Sequence, residues 1–346
     1  IITNENEATE IIEYLLKESI EKRLSASDID VGVLLSGGLD SSMIVALAKE
    51  KFPKLKTYSI GFEDDKEEKG NEFIYSDQVV KKYKTDHKKF IIDNTLVLSK
   101  LPKAFEAMSE PMVAQDAVAF YMLSELVRKD VKVILSGQGA DEGFAGYFWY
   151  NKINLEKNDY ANFLKHYIDR SEVELSEFLN IEFSSNFTNL MIKNKFRDIN
   201  AETLLGNVLN FDITTLVVDD PVKRVDNMTM AWGLEARVPF LDHKLIEASV
   251  KIDPNIHLKR NGKNILKIIS DKLLPKDVIT RKKGYFPMPA LKFIRGEYYD
   301  FVYDILNSSK CYNRNLYNKD YIKKLLKKPN DHKTAIDGNK LWHAAA

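Results

Sequence analysis

Thiol chemistry is nearly absent from this 346-residue chain. Its one cysteine, Cys311, cannot form an internal disulfide, which fits a reducing, cytoplasmic setting. No apolar run approaches the ~18 residues that a membrane-spanning helix needs, and no signal-peptide pattern opens the sequence. Net charge is also missing: Lys and Arg number 51, as do Asp and Glu, so no global field points to nucleic acid or a membrane surface. None of the histidines (His87, His166, His243, His257, His332, His343) stands at metal-ligand spacing from another His or from Cys311, which removes zinc chemistry. There is no G-x-S-x-G for a serine hydrolase and no G-x-x-x-x-G-K-S/T phosphate loop. Repeats and low-complexity tracts are absent as well. The first residue is isoleucine, as in a piece of a longer protein.

What is present is organised around residues 31–49, VGVLLSGGLDSSMIVALAK. The unbroken apolar run reads as a strand buried on both faces, and Met43, Ile44 and Leu47 carry the spacing of a helix. Ser36-Gly37-Gly38 joins the two. Strand, glycine turn and helix together build an anion site, because backbone N–H groups approach the ligand and the helix N-terminus adds partial positive charge. Ser36, Ser41 and Ser42 supply hydroxyl donors, and Asp40 is suited to hold a divalent cation against a bound anion. An ordinary capped turn explains a bare SGG, but not the whole SGGLDSS after a hydrophobic strand.

The rest of the first half repeats this alternation. An amphipathic helix over 8–23 precedes the first strand, followed by a strand at 55–62, an acidic loop at 63–68 and a helix at 71–84. A strand at 87–92, helices at 95–109 and 116–128 and a strand at 131–135 complete it. The pattern predicts an α/β fold, a parallel sheet with helices on both faces, whose ligands sit at the carboxyl ends of the strands. The strand at 131–135 runs into Ser136-Gly137-Gln138-Gly139-Ala140-Asp141-Glu142, a second serine–glycine turn followed by acids. Two such turns on neighbouring strands would set Asp40 and Asp141 on either side of one metal–phosphate cluster, an arrangement Mg²⁺ favours. After Tyr150 strand signals fade, which divides the chain into an α/β domain at 1–150 and a mostly helical part at 151–346. Within that part, residues 212–242 are dense in charge inside an apolar frame, a sign of paired acids and bases or of a ligand pocket. Arg281, Lys282 and Lys283 precede a glycine and two aromatics. They form either a solvated basic turn or a lysine placed to balance charge on a transferring phosphoryl group. A basic amphipathic helix covers 317–328.

SGGLDSS resembles the pyrophosphate loop of the N-type ATP pyrophosphatases, which cleave ATP between its α- and β-phosphates and activate a substrate as an adenylate. With YSIGF, SGQGADEGFAGY, DNMTMAWGLEARVPFLDHKLIE and RKKGYF in this order, residues 11–342 resemble the synthetase domain of the glutamine-dependent asparagine synthetases. The resemblance implies an adenine nucleotide alpha hydrolase-like fold and a carbon–nitrogen ligase that uses ATP and Mg²⁺. Ser36, Gly37, Gly38, Asp40, Ser41 and Ser42 would hold the leaving pyrophosphate, with Asp40 and Asp141 as Mg²⁺ ligands. Leu34 and Ile60 would line the adenine site, and Ser136 and Gly137 would approach the nucleotide. Lys283 would face the α-phosphate, and with Gln138 and Asp141 makes up the candidate catalytic set.

The expected partners are a small carboxylic acid, with aspartate as the family default, and ammonia. The family's glutaminase half is missing from this chain, so glutamine would serve only where such a domain is supplied. A homodimer is compatible with the sequence. Gln138 stands where asparagine-forming members carry glutamate, and Met112 to Asp116 replace a segment containing Thr and Arg that would hold a second carboxylate. The wording of DDPVKRVDNMTMAWGLEARVPFLDH and KGYFPMPALKF is close to the N-acetylglutaminylglutamine amide synthetase branch, which makes that dipeptide the alternative acceptor. A tRNA-thiolating enzyme of the same superfamily would need a cysteine pair and a basic face, which are absent. A non-catalytic nucleotide-binding module has only Gln138 in its favour.

Overall fold

The alternating apolar segments pair as one parallel sheet in the order β3-β2-β1-β4-β5. Its strands are β1 (Val31–Leu34), β2 (Lys56–Phe62), β3 (Asp86–Ile92), β4 (Val133–Leu135) and β5 (Glu235–Arg237). In register, Val33 of β1 sits between Thr57 of β2 and Leu135 of β4. The computed structural model describes the chain except for residues 65, 67–68, 156–159, 182–185, 200, 282–287 and 336. The last strand corrects the expectation that strands end before residue 150. Glu-Ala-Arg has no apolar run to announce it, because it closes the edge of the sheet and is only half-buried.

The helices of the first half fall close to the predicted ranges: α1 (Glu5–Ser25), α2 (Leu39–Lys49), α3 (Phe73–Tyr83), α4 (Asn94–Glu106) and α5 (Gln115–Val127). In α1, Ala8, Ile12, Leu16, Ile20 and Leu24 recur every fourth residue and are all buried. The Asn4 side chain caps this helix by accepting from the backbone N–H groups of Asn6 and Glu7. Its far end is tied to the later chain: Ser19 donates to the Pro239 carbonyl at 2.7 Å, and Arg23 pairs with Asp242 at 3.1 Å.

Side chains alternate across the sheet, and each face has its own core. Leu34, Tyr58, Ile60, Phe62 and Ile134 pack with α4, α5 and the C-terminal helices Glu297–Leu306, Lys319–Lys327 and Lys340–Ala345. Val33, Leu35 and Leu135 pack on the other face with α1, α2 and the helices His243–Ser249 and Asn264–Leu273. Both of these cores draw residues from either side of residue 150. A third, smaller cluster is built from residues 145–216 with Leu258, where Phe163, Phe211 and Tyr150 are buried. The expected basic helix forms at Lys319–Lys327 and buries Ile322, Leu325 and Leu326, while half-buried Cys311 lies against the same core. No helix among the described residues is long and apolar enough to cross a membrane.

The strand order has one consequence for ligands. From β1 the chain steps outward through β2 and β3, then returns to β4 on the opposite side of β1. Between the carboxyl ends of β1 and β4 the direction of winding therefore reverses, and a crevice opens there. Both serine–glycine turns leave these two strands.

Candidate active site

The turn after β1 is held by its own side chains. The Ser36 and Ser41 hydroxyls lie 3.0 Å apart, the Gly38 N–H donates to Ser36 Oγ at 3.2 Å, and Ser42 N–H donates to the Gly38 carbonyl at 3.0 Å. Gly37 adopts φ +77°, and a Cβ there would stand 2.6 Å from the Ser76 backbone nitrogen, so only glycine fits. Helix α2 begins at once, with Asp40 in its first turn. Across the crevice, β4 leads through Ser136 and Gly137 into a short helix, Ala140–Gly143, that carries Asp141.

These two acids meet at one point, the ammonium of Lys263. Its Nζ is 2.8 and 2.7 Å from the two Asp40 oxygens and 2.8 Å from Asp141 Oδ1. The Lys263 side chain is 8% exposed, against 21% for Asp40 and 16% for Asp141, so the three charges sit together below the surface. Burial opposes the lysine charge, but Asp141 and Asp40 outweigh it and hold the ammonium above the ordinary lysine range.

Lys263 reaches this position through an unusual turn. Arg260, Asn261, Gly262 and Lys263 all have positive φ (54°, 61°, 86° and 52°), a run that L-residues adopt only at a cost of about 1–2 kcal/mol each. At Gly262 a Cβ would fall 2.2 Å from the Ala145 carbonyl, and the Lys263 N–H donates to the Phe144 carbonyl at 2.9 Å. The turn is thus locked onto the loop that follows Asp141.

A cleft of about 260 Å³ opens over this cluster. It is lined by most of the residues expected from the sequence: Leu34, Ser36, Gly38, Asp40, Ser41, Ile60, Ser136, Gly137, Gln138 and Asp141. Gly37 and Ser42 are not on its wall. Ser42 is fully buried, and its hydroxyl has no hydrogen-bond partner among the described residues. Lys283 lies outside the described residues.

The charged stretch at 212–242 resolves into pairs, and part of it also lines the cleft. Residues 212–216 and 218–222 are wound as π-helix, a form that recurs at functional sites. It brings Pro221 and Arg224 to the cleft, where Arg224 pairs with Asp116 at 2.8 Å and Asp220 at 3.3 Å. Asp212 is fully buried and accepts from Tyr150 at 2.5 Å and Tyr167 at 2.7 Å. Burial pushes its carboxyl up to about 7, against the lowering effect of the two tyrosine hydroxyls. Buried Glu142 accepts from Tyr147 at 2.6 Å on the cleft wall.

Two residues of this site, Lys263 and Arg224, are not singled out by sequence reasoning. Arg224 is foreshadowed only by the local charge density. For Lys263 the available signal is the Asn261-Gly262 turn ahead of a new amphipathic helix, which marks a loop but not its destination.

The family model for asparagine synthase matches residues 12–346. The chain belongs to the asparagine synthase family. It is 28% identical to asparagine synthetase (glutamine-hydrolysing) 1 of Bacillus subtilis strain 168, covering 98% of this chain and 58% of that protein. With the asparagine synthetase of Mus musculus the identity is 27%, over 80% of this chain and 42% of that protein. The chain of this family member therefore spans about half the length of the curated relatives it matches. Among solved structures, NMN synthetase from Francisella tularensis aligns with 63% of the chain and 95% of its own length, at 11% identity and a TM-score of 0.33.

Asp40 and Asp141 fit a Mg²⁺ ion by their chemistry. Two carboxylates converge on one cationic centre, and no group of three or more His, Cys, Asp or Glu suited to a metal occurs among the described residues. Mg²⁺ is commonly held by one or two carboxylates, with substrate phosphates and water completing its shell.

Proposed function

We propose that this chain forms an amide from a carboxylic acid and ammonia, consuming ATP and releasing AMP and pyrophosphate through an acyl-adenylate. The observation that carries this reading is the convergence of Asp40 and Asp141, from turns on adjacent parallel strands, at the floor of one cleft. Such a floor suits a polyphosphate with its counter-charges, and family membership supplies the reaction class.

In this reading Ser36, Gly38 and Ser41 cradle the leaving pyrophosphate while Gly37 and Ser42 shape the turn from behind, with Leu34 and Ile60 against the adenine and Ser136 and Gly137 beside the nucleotide. Mg²⁺ held by Asp40 and Asp141 supplies charge neutralisation on the phosphates. The substrate carboxylate oxygen attacks the α-phosphorus, the bond to the β-phosphate oxygen breaks, and pyrophosphate takes the electron pair. Lys283 faces the α-phosphate as charge shifts there, and Lys263 fixes the two acids in place. Ammonia then attacks the acyl carbon, AMP departs with the acyl–oxygen electron pair, and the amine sheds its proton. Protein catalysis here is positioning and electrostatic stabilisation, because no covalent enzyme intermediate is needed. Aspartate is the default acceptor and N-acetylglutaminylglutamine the alternative, since Gln138 and the 112–116 segment depart from the aspartate pattern. Where a glutaminase domain is supplied, glutamine becomes the nitrogen source.

The test is product analysis with Mg-ATP, ammonium and each acid in turn. Acid-dependent AMP and pyrophosphate in equal amounts, with the matching amide, is the expected result. Formation of ADP and phosphate instead would overturn the reaction class.

A further inference from the structure

The cleft wall beyond the two turns contains one cationic side chain among the described residues, Arg224. An arginine recognises a free carboxylate by presenting two N–H groups on one edge of its fork. Arg224 already has both terminal nitrogens engaged by acids of the chain itself. Its Nη1 donates to Asp116 at 2.8 Å and its Nη2 to Asp220 at 3.3 Å, while Nε is sealed from solvent. A ligand carboxylate arriving here would meet a guanidinium already balanced by two carboxylates and would add a third negative charge beside them. What this part of the wall offers is the opposite chemistry. Asp116 uses only Oδ1 on the arginine and is 27% exposed on the cleft, whereas the Gln138 side-chain carbonyl, on the same wall, is as sealed from solvent as the arginine Nε. The Asp116 carboxylate is therefore the acceptor that this wall presents to a ligand's N–H donors.

We propose that the acid activated in this cleft carries a single carboxylate and presents N–H groups, amide or ammonium, to Asp116. Arg224 is a specificity-determining residue that withholds a carboxylate clamp because Asp116 and Asp220 occupy it. The inference rests on the amide-forming reading and gives its acceptor a chemical class, one that disfavours a second carboxylate such as aspartate carries.

The test separates binding from chemistry. The full chain is loaded with Mg²⁺ and α,β-methylene-ATP, in which the scissile bond cannot break, and titrated by calorimetry with succinate, glutamine and N-acetylglutaminylglutamine. At least one of the two N–H-bearing monocarboxylates is expected to bind about tenfold or more tighter than succinate. The double variant Asp116→Asn/Asp220→Asn frees the guanidinium and should erase or reverse that preference. Asp116→Asn alone, which leaves Asp220 on the guanidinium, should move it the same way by a smaller factor and carries the test if the double variant does not fold. Succinate binding as tightly as the other acids, no binding by either N–H-bearing acid, or an unchanged ratio in the folded variants would overturn the proposal. Because no bond breaks in this assay, failure of the reaction class appears only in the product analysis, and the two failures are distinguishable.

Discussion

Replacing Lys263 with methionine keeps the length and apolar stem of the side chain and deletes the ammonium bridging Asp40 and Asp141. At 2.7–2.8 Å and an effective dielectric of about 20, each carboxylate attracts that charge by roughly 6 kcal/mol. Desolvation of the buried lysine returns several kcal/mol of this, so the pair's net worth is far below the Coulomb sum. What the variant measures is the cost of leaving two acids side by side without their partner, about 3–5 kcal/mol for a buried site. The lower end applies here, because the carboxylates keep 21% and 16% of their exposure. At ~1.4 °C per kcal/mol for a chain of 346 residues, the midpoint of thermal unfolding should drop by about 4 °C in metal-free buffer. Added Mg²⁺ should restore part of the loss and raise the variant's midpoint more than that of the wild type, since it binds the folded pair of acids. A double-mutant cycle with Asp40→Asn isolates the pair itself. A midpoint shift under about 1 °C, or a coupling energy below about 0.5 kcal/mol, would refute the view that these charges depend on one another.

Further expectations follow from single residues. Lys283→Ala should abolish acid-dependent pyrophosphate release while ATP binding, followed by calorimetry, stays largely intact; wild-type turnover would remove Lys283 from the mechanism. Gly146→Ala would put a Cβ 2.1 Å from both Asp141 Oδ1 and Lys263 Cε, so a loss of about 1–3 kcal/mol in urea unfolding, with loss of pyrophosphate release, is expected. Asp212 has its carboxyl raised from 3.8 to about 7, mainly by burial, so its stabilising contribution is complete below about pH 4, falls as the pH rises, and is fully lost above about 7. That loss is on the order of 4 kcal/mol. Asp212→Asn should therefore flatten the pH dependence of stability between about pH 4 and 7, and an unchanged profile would show that Asp212 does not titrate in this range.

The parts of the fold legible in the sequence are those whose signal is local and repeated. The strand at Val31–Leu34 is announced by its apolar run, and α1 by Ala8, Ile12, Leu16, Ile20 and Leu24. The two serine–glycine turns could be read as a pair because each follows such a strand and ends in an acid. That their strands are neighbours is a fact of sheet order, which β–α alternation alone does not give. Strand β5 was hidden for a related reason. Its three residues are placed by backbone pairing with Val133–Leu135, a hundred residues earlier, and Glu235, Ala236 and Arg237 carry no apolar alternation of their own.

The site shows the same division more sharply. Asp40 and Asp141 were visible because their local turns make chemical sense without the rest of the chain. Lys263 makes sense only through them: it lies 223 residues from Asp40 in sequence, and its buried charge would be prohibitive in any setting without the two acids. The left-handed run at Arg260–Lys263 has little support from the intrinsic preferences of its residues, apart from Asn261 and Gly262. It is maintained by contacts with Phe144 and Ala145, which follow the second turn. Lysine, strained turn and acids therefore form one device in which each part is affordable only because the others are present. Local reading finds the two acids that can stand alone, and the residue that joins them emerges only when the chain has folded back.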